Sequence, residues 1–271
     1  MSDLSPATLA TAADVEAFAA RLYGGSCPPP IPGVSHVTSC WRRPGALPTS
    51  PLVTLRINEH TPKSAEDFFV LNFSRSRADA ILVSGKLLRE EPETTFGLQG
   101  PAAPALAAYR NEGALRYDPP LLVVLTSGKG FDPKHVAFAD GPGAPRPLVL
   151  TSPEAAEELA PKLAGTRIDV EALESLDTRR AVRWLREARG CARVAIEAGP
   201  TASRQLYDAP GIVDELSLSV FEEPRLPGPA FGPEFLSPKM LETHLGPSST
   251  PVAVAAESGR WTFRMHLRDR G

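Results

Sequence analysis

The chain has 271 residues, 42% hydrophobic and 23% charged, with a formal net charge of −3. That length and balance describe a globular chain able to bury its own core, and the small negative charge excludes binding to nucleic acid or an anionic membrane through bulk charge. No stretch approaches the roughly 18 apolar residues of a spanning helix, the first residues carry no signal character, and Cys27, Cys40 and Cys191 are too scattered for a disulfide framework or a zinc set, so the expectation is a cytoplasmic protein that works on a small molecule.

In chain order, Leu9, Val15, Phe18, Ala19 and Leu22 fall at helical spacing, which predicts an amphipathic helix over 5–23, stopped by Gly24 and Gly25. Residues 27–51 are rich in Pro, Gly and Ser and read as an irregular connector. The expected division is an N-terminal helix and Pro-rich extension over 1–50, then one domain over 51–271. Residues 52–57 alternate and predict a short strand, and 64–75 a helix. Short apolar runs at 80–83, 121–125, 148–150, 167–170 and 192–196 suit strands buried on both faces. Helices fall between them: one opens at Ser152 and Pro153 and runs to about Leu163, Asp177 caps a second, and a third starts at Pro200. Alternating strands and helices predict an α/β fold, a mixed, mainly parallel sheet flanked by helices. Residues 213–221 alternate, and in the last segment Trp261, Phe263, Met265 and Leu267 alternate with polar neighbours, which predicts a half-buried strand there, most naturally antiparallel. The apolar run 216–221 and the strand 261–267 are placed to extend a sheet or pair across a two-fold axis, so a homodimer is expected.

In open α/β sheets ligands gather at the carboxyl ends of strands. Gly199, Pro200 and Thr201 follow such an end. Glycine permits close approach, proline suits the first helical position, and a new helix presents free N–H groups, so the turn suits a diphosphate or is a plain strand-to-helix turn. Thr126, Ser127 and Lys129 offer two hydroxyls and a cation that fit a monoester phosphate, such as the 2′-phosphate of NADP, and otherwise form a solvated loop. Glu197 closes an apolar strand, either as a functional carboxylate or as the residue emerging into solvent. No GxGxxG or GxxxxGK[ST] occurs, and the five histidines form no triad or metal set, so no metal is expected. Cys191 reads as a small buried hydrophobe, and Asp214 and Glu215 as structural.

Asp79-Ala80-Ile81-Leu82-Val83-Ser84-Gly85 with Arg89-Glu90-Glu91-Pro92, and Ile196-Glu197-Ala198-Gly199-Pro200-Thr201 with Val213-Asp214-Glu215-Leu216, stand in an order and spacing that resemble the C-terminal reductase domain of bacterial bifunctional riboflavin-biosynthesis deaminase/reductases. The resemblance covers roughly residues 50–270. It implies a dihydrofolate-reductase-like fold, a homodimer, NADPH as cofactor, and reduction of the ribose of a phosphoribosylaminopyrimidine. It also implies that Gly199, Pro200 and Thr201 cover the cofactor diphosphate and that Ser84 and Gly85 lie against the nicotinamide half. Thr126, Ser127 and Lys129, with Thr151 on the next strand end, lie near the adenosine 2′-phosphate. Glu197 is the catalytic candidate, and Arg56, Asn58 and Arg89 are the substrate candidates. The sequence departs from the family where Arg56-Ile57-Asn58-Glu59-His60-Thr61 replaces a run that carries an aspartate, where Lys86-Leu87 replaces a Gly-Thr pair, and where Ala198 replaces a glycine. It contains no HxE with PCxxC, so no zinc deaminase half. Two readings follow: an NADPH-dependent reductase of a small heterocyclic or phosphoribosyl-type substrate, and a non-catalytic nucleotide-binding module that keeps the fold.

Overall fold

The computed structural model describes residues 4–198, 203, 205–208, 211–226 and 228–268. Their helices are α1 (Ala12–Leu22), α2 (Ala65–Ser76), α3 (Gly85–Glu90), α4 (Ala103–Glu112), α5 (Pro153–Leu163), α6 (Thr178–Arg189) and α7 (Pro238–Leu245). Their strands are β1 (Gly33–Trp41), β2 (Val53–Leu55), β3 (Ala80–Ser84), β4 (Leu121–Leu125), β5 (Arg146–Thr151), β6 (Asp169–Ala172), β7 (Arg193–Glu197), β8 (Glu215–Phe221), β9 (Phe231–Glu234), β10 (Val252–Ala256) and β11 (Gly259–Leu267). They form one sheet in the order β10-β11-β8-β1-β7-β3-β4-β5-β6, with β2 on β1 and β9 on β2. From β8 to β6 along this path every pairing is parallel; β10, β11, β2 and β9 pair antiparallel. The expected mixed, mainly parallel α/β sheet is therefore present.

The apolar runs explain the layers. Successive residues of a strand point to opposite faces, so Ala80 and Leu82 of β3 join a core with Ala181, Val182 and Leu185 of α6 and Leu241 and Leu245 of α7. Ile81 and Val83 join a core on the other face with Leu159 and Leu163 of α5. Beneath the antiparallel wing, Phe18 of α1 and Phe69 and Phe73 of α2 pack with Trp261 and Phe263 of β11. The helices start where side chains cap them: Ser64 accepts from Asp67 N, Ser152 from Ala155 N and Asp177 from Arg180 N. Gly190 ends α6 in the left-handed region, φ +64°.

The N-terminal division needs correction. β1 lies at the middle of the sheet: Gly33–His36 pair with Arg193–Ile196 of β7, and Ser35–Trp41 with Glu215–Phe221 of β8. Residues 27–50 are thus no connector, and a boundary at residue 50 would cut through the sheet. The strand escapes sequence patterning because Ser35, His36, Thr38 and Ser39 are polar, and distant groups pair with His36 and Ser39. His36 Nδ1 lies 2.8 Å from the Tyr207 hydroxyl, and Ser39 Oγ donates to Asp67 Oδ1 at 2.6 Å. The strand expected at 52–57 shrinks to the three residues of β2, beside the last residues of β1. The strand expected at 167–170 lies two residues later, as β6. The helix expected from Pro200 lies outside the described residues.

The expected sheet extension is corrected too. β8 is enclosed by β1 and β11, and β11 by β8 and β10, so neither is an edge. Among the described residues the free edges of the main path are β10 and β6. Among the described residues no helix is long and apolar enough to cross a membrane.

Candidate functional site

Parallel register sets the ends of β7, β3, β4 and β5 side by side. Val83 pairs with Glu197, Ser84 with Leu125, and Leu125 with Leu150. Strand spacing of about 4.8 Å puts Glu197, Ser84, Thr126 and Thr151 along one crescent. The segments singled out at Ser84, Thr126, Thr151 and Glu197 therefore converge; Arg56 and Asn58 do not.

Within the crescent the residues differ in what they can offer. Ser84 Oγ accepts from Leu87 N and caps α3. A Cβ on Gly85 would stand 2.5 Å from Thr126 Oγ1, so glycine lets the β3–α3 turn lie against the β4 end. Thr126 is buried, and its Oγ1 accepts from Gly128 N at 3.2 Å. Ser127 and Lys129 are exposed. Gly128, φ +79°, places the loop on α5, where a Cβ would meet Ala155 Cβ at 3.1 Å. Thr151 is corrected as a surface contact: it is wholly buried, and its Oγ1 has no hydrogen-bond partner.

Glu197 is neither a free carboxylate nor a residue reaching into solvent. Its two oxygens accept from Arg75 Nε and Nη2, each at 2.7 Å, with side chains 9% and 3% exposed. Arg75 also donates from Nη1 to the carbonyls of Thr95 and Gly97, and its guanidinium lies 5.2 Å from the Phe96 ring centre. The pair thus ties the 95–97 segment to the end of β7. Sequence reasoning missed Arg75, since only the fold brings it to Glu197.

Glu91 was also missed. It follows α3, is half-buried, and accepts from Thr94 Oγ1 at 3.0 Å. Burial pushes its carboxyl pKa upward against the Thr94 hydrogen bond, and nearby Glu197 and Glu90 add to the rise. The Glu-Glu-Pro sequence held no signal for this, because the cause is burial.

Arg89, expected on the substrate side, stands over the β4 loop. Its Nη1 donates to the Lys129 carbonyl at 3.0 Å. Arg56 and Asn58 sit elsewhere. Arg56 N donates to Ala230 O, Asn58 Oδ1 accepts from His60 N, and Asn58 Nδ2 donates to Pro229 O. The 56–61 turn thus packs on 228–230, and among the described residues none of its hydrogen bonds reaches the crescent. The segment that follows the central strand is Arg42 and Arg43, not 56–61. Gly199, Pro200 and Thr201 lie outside the described residues.

The amino ends of the same strands are closed. Arg77 donates to both oxygens of Glu215 at 2.8 and 2.9 Å, and Asp214 Oδ2 accepts from Val34 N, so this acidic pair is structural as expected. The cavity there, lined by Gly33, Val34, Arg193 and Glu215 among others, is about 10 Å³, no larger than one water. Cys191 is a buried free thiol, and no metal-binding cluster exists among the described residues.

The family model described as RibD C-terminal domain matches residues 55–241, well over half of the chain and starting after β1. In fold, the chain is similar to a pyrimidine reductase-like protein of Corynebacterium diphtheriae, with 22% identity and a TM-score of 0.58 over 89% of this chain and 93% of that one. It is also similar to the riboflavin biosynthesis reductase of Saccharomyces cerevisiae (13%, 0.52, 94% and 99%) and to RibD of Acinetobacter baumannii (14%, 0.53, 98% and 71%). No curated protein sequence matches it. With a family-model match over more than half of its length and a mainly parallel sheet, the chain belongs to the RibD C-terminal domain family.

Proposed function

We propose that the protein is an NADPH-dependent reductase of a small heterocyclic substrate carrying a phosphoribosyl-type group. The observation that carries this reading is the β4 loop: Ser127 and Lys129 are exposed there, in a reductase family, beside three other strand ends. An exposed hydroxyl and an exposed cation with no carboxylate partner among the described residues fit a phosphate, so the residues present suit this cofactor. Ser127 and Lys129 would hold the adenosine 2′-phosphate, Gly199, Pro200 and Thr201 the diphosphate, and Ser84 and Gly85 would shape the nicotinamide side through their backbone. When bound, the cofactor supplies the hydride.

The remaining residues act on position and protons. Glu197 is a positioning residue: its carboxylate is saturated by Arg75, which in turn holds the 95–97 segment. Glu91, whose pKa burial raises, keeps its proton to higher pH than an ordinary carboxyl, and is the proton donor of this reading. The 56–61 turn packs on 228–230 and lies apart from these residues.

The test is fluorescence titration with NADPH, then turnover on a phosphoribosylaminopyrimidine with the ribityl product identified. Binding with turnover is expected. Binding without turnover on any such substrate supports a nucleotide-binding module instead, and no binding removes the reading.

We further propose a homodimer through the free edge strand β10. Its Ala253 and Ala255 are exposed and uncharged, and among the described residues no further strand pairs with that edge. Light scattering should give a dimer mass for the wild type and a monomer for Ala253→Lys; a wild-type monomer at all concentrations refutes it.

A further inference from the structure

We propose that Asp67 reads the heterocycle of the substrate: its carboxylate takes the amino and ring N–H groups of the base at a break in the sheet, and Ser39 positions it. This inference rests on the reductase reading above and deepens it by naming the group that selects the base.

The break follows from register. β1 pairs with β7 only as far as His36 and Ile196, and β7 ends one residue later at Glu197. β8 occupies the other side of β1 from Ser35 to Trp41, so β2, which joins at Cys40 and Trp41, takes the β7 side. Among the described residues Val37, Thr38 and Ser39 therefore have no strand on that side, a gap of about 10 Å. The gap adjoins Glu197, the β7 member of the crescent, and open α/β sheets take their ligands in the crevice outside such strand ends. Ser39 carries its hydroxyl to Asp67 of α2, as Glu197 carries its carboxylate to Arg75 of the same helix, so both acids lie on one face of the sheet.

Asp67 is left short of partners where its neighbours are not. Glu197 and Glu215 are each met by an arginine, and Asp79 accepts two backbone N–H groups. The Asp67 carboxylate has one hydrogen bond of normal geometry among the described residues, 2.6 Å from Ser39 Oγ to Oδ1, and no cation pairs with it. Burial pushes its pKa upward, against the Ser39 and Ser219 hydroxyls beside it. Ser219 pairs with Ser39 in the register and is wholly buried, and its Oγ makes no hydrogen bond of normal geometry. Two acceptors are thus held inside the fold with capacity unspent. Asp67 and Ser39 are only half-buried, so neither is sealed from a ligand. A carboxylate out of water and without a cation needs N–H donors. An aminopyrimidine carries adjacent amino and ring N–H groups, which a carboxylate accepts two at a time, and the Ser219 hydroxyl can accept another or donate to a ring carbonyl.

The test titrates wild type, Asp67→Asn and Ser39→Ala with diaminouracil, uracil and NADPH by calorimetry, the two bases with and without saturating NADP, and follows urea unfolding alongside. Asp67→Asn keeps the shape and removes the charge. It should bind diaminouracil about 30-fold more weakly and NADPH as the wild type does. Its unfolding midpoint should be equal or higher, because the carboxylate it removes is buried without a cation. Uracil, which lacks the amino groups, should bind the wild type weakly and change least. Ser39→Ala should lose about fivefold in diaminouracil affinity, as loss of one positioning hydrogen bond does. An acid in the first turn also suits the helix dipole, and a purely structural Asp67 predicts the opposite pattern: a lower midpoint with every affinity kept, which overturns the proposal. A wild type that binds NADPH but not diaminouracil overturns it too, and leaves the reductase reading standing. Joint loss of diaminouracil and NADPH in Asp67→Asn reports a collapsed site and counts against it. If Asp67→Asn does not fold, a Ser39→Ala protein with wild-type diaminouracil affinity overturns it. Diaminouracil binding that depends on Asp67 in a protein that binds no NADPH keeps the base site and overturns the reductase reading.

Discussion

The two ends of the parallel strands are built from the same residue types and treat them in opposite ways. At the amino ends the protein answers its own charges. Arg77 and Glu215 form a buried two-point ion pair, and Asp79 accepts from Arg116 N at 2.7 Å and Arg193 N at 2.9 Å. Arg110 donates from Nη1 to the carbonyls of Arg75, Ser76 and Ala78 and from Nε to Asp118. At the carboxyl ends of β3 and β4, by contrast, Ser127, Lys129 and Arg89 stand exposed with donors to spare. Burying a polar group without partners is expensive, so a saturated network reads as scaffold and an unsaturated exposed one as a place for a ligand. Glu197 and Arg75 form the exception, a carboxyl-end pair built like an amino-end one, and their role follows the construction rather than the address.

Four experiments would break or sharpen that contrast. The largest effect belongs to the amino end. Arg77→Ala strands the Glu215 carboxylate in the core and should cost about 3–5 kcal/mol in urea unfolding. The folded fraction should bind NADPH as before; a selective loss of affinity with normal stability would erase the distinction between the ends.

Next come the two carboxyls of the crescent. Glu91→Gln should lower kcat by about 100-fold at near-normal stability, as removal of a proton donor does. Glu197→Gln should do the reverse, losing about 2 kcal/mol of stability from the buried pair and moving kcat less than Glu91→Gln does. If the two variants exchange these effects in stopped-flow and unfolding measurements, the roles assigned here are inverted.

Between the ends lies His36, whose pKa burial lowers from 6.5 to about 3. The folded chain holds this group neutral, whereas the unfolded chain takes up a proton below its ordinary value. Stability is therefore fully present above that value and is lost as pH falls toward the folded one, by about 2 kcal/mol between pH 7 and pH 5. His36→Asn should flatten this part of the stability profile. An unchanged slope would show that another group titrates in that range.

The smallest effect belongs to the open end. Lys129→Ala should weaken NADPH about tenfold, near 1.4 kcal/mol, with no change in melting temperature or NADH affinity. Equal losses for the two dinucleotides would remove Lys129 as a contact of the 2′-phosphate.

Local signals made much of this legible in advance. The runs at 80–83, 121–125 and 148–150 are apolar at every position, and 192–196 at every position but Arg193, because strands covered on both faces have no solvent side to mark. Ser64, Ser152 and Asp177 cap helices because capping needs only a short side chain and the next turn. The alternation of strand and helix, and the segments at Asp79 and Glu197, led to the fold class and the family. What only the tertiary structure decided rests on partners far apart in the chain. β1 is a central strand because His36 finds Tyr207 and Ser39 finds Asp67, and no window around residue 36 contains either partner. Glu197 is held in a buried ion pair because Arg75, 122 residues away, folds onto it. Arg89 reaches the β4 loop because β3 and β4 are neighbours, and the expected edge at 261–267 disappeared because β10 covers it. Periodicity and capping act over a few residues and are written in the sequence; register, burial and the pairing of charges act across the fold, and only the folded chain brings their partners together.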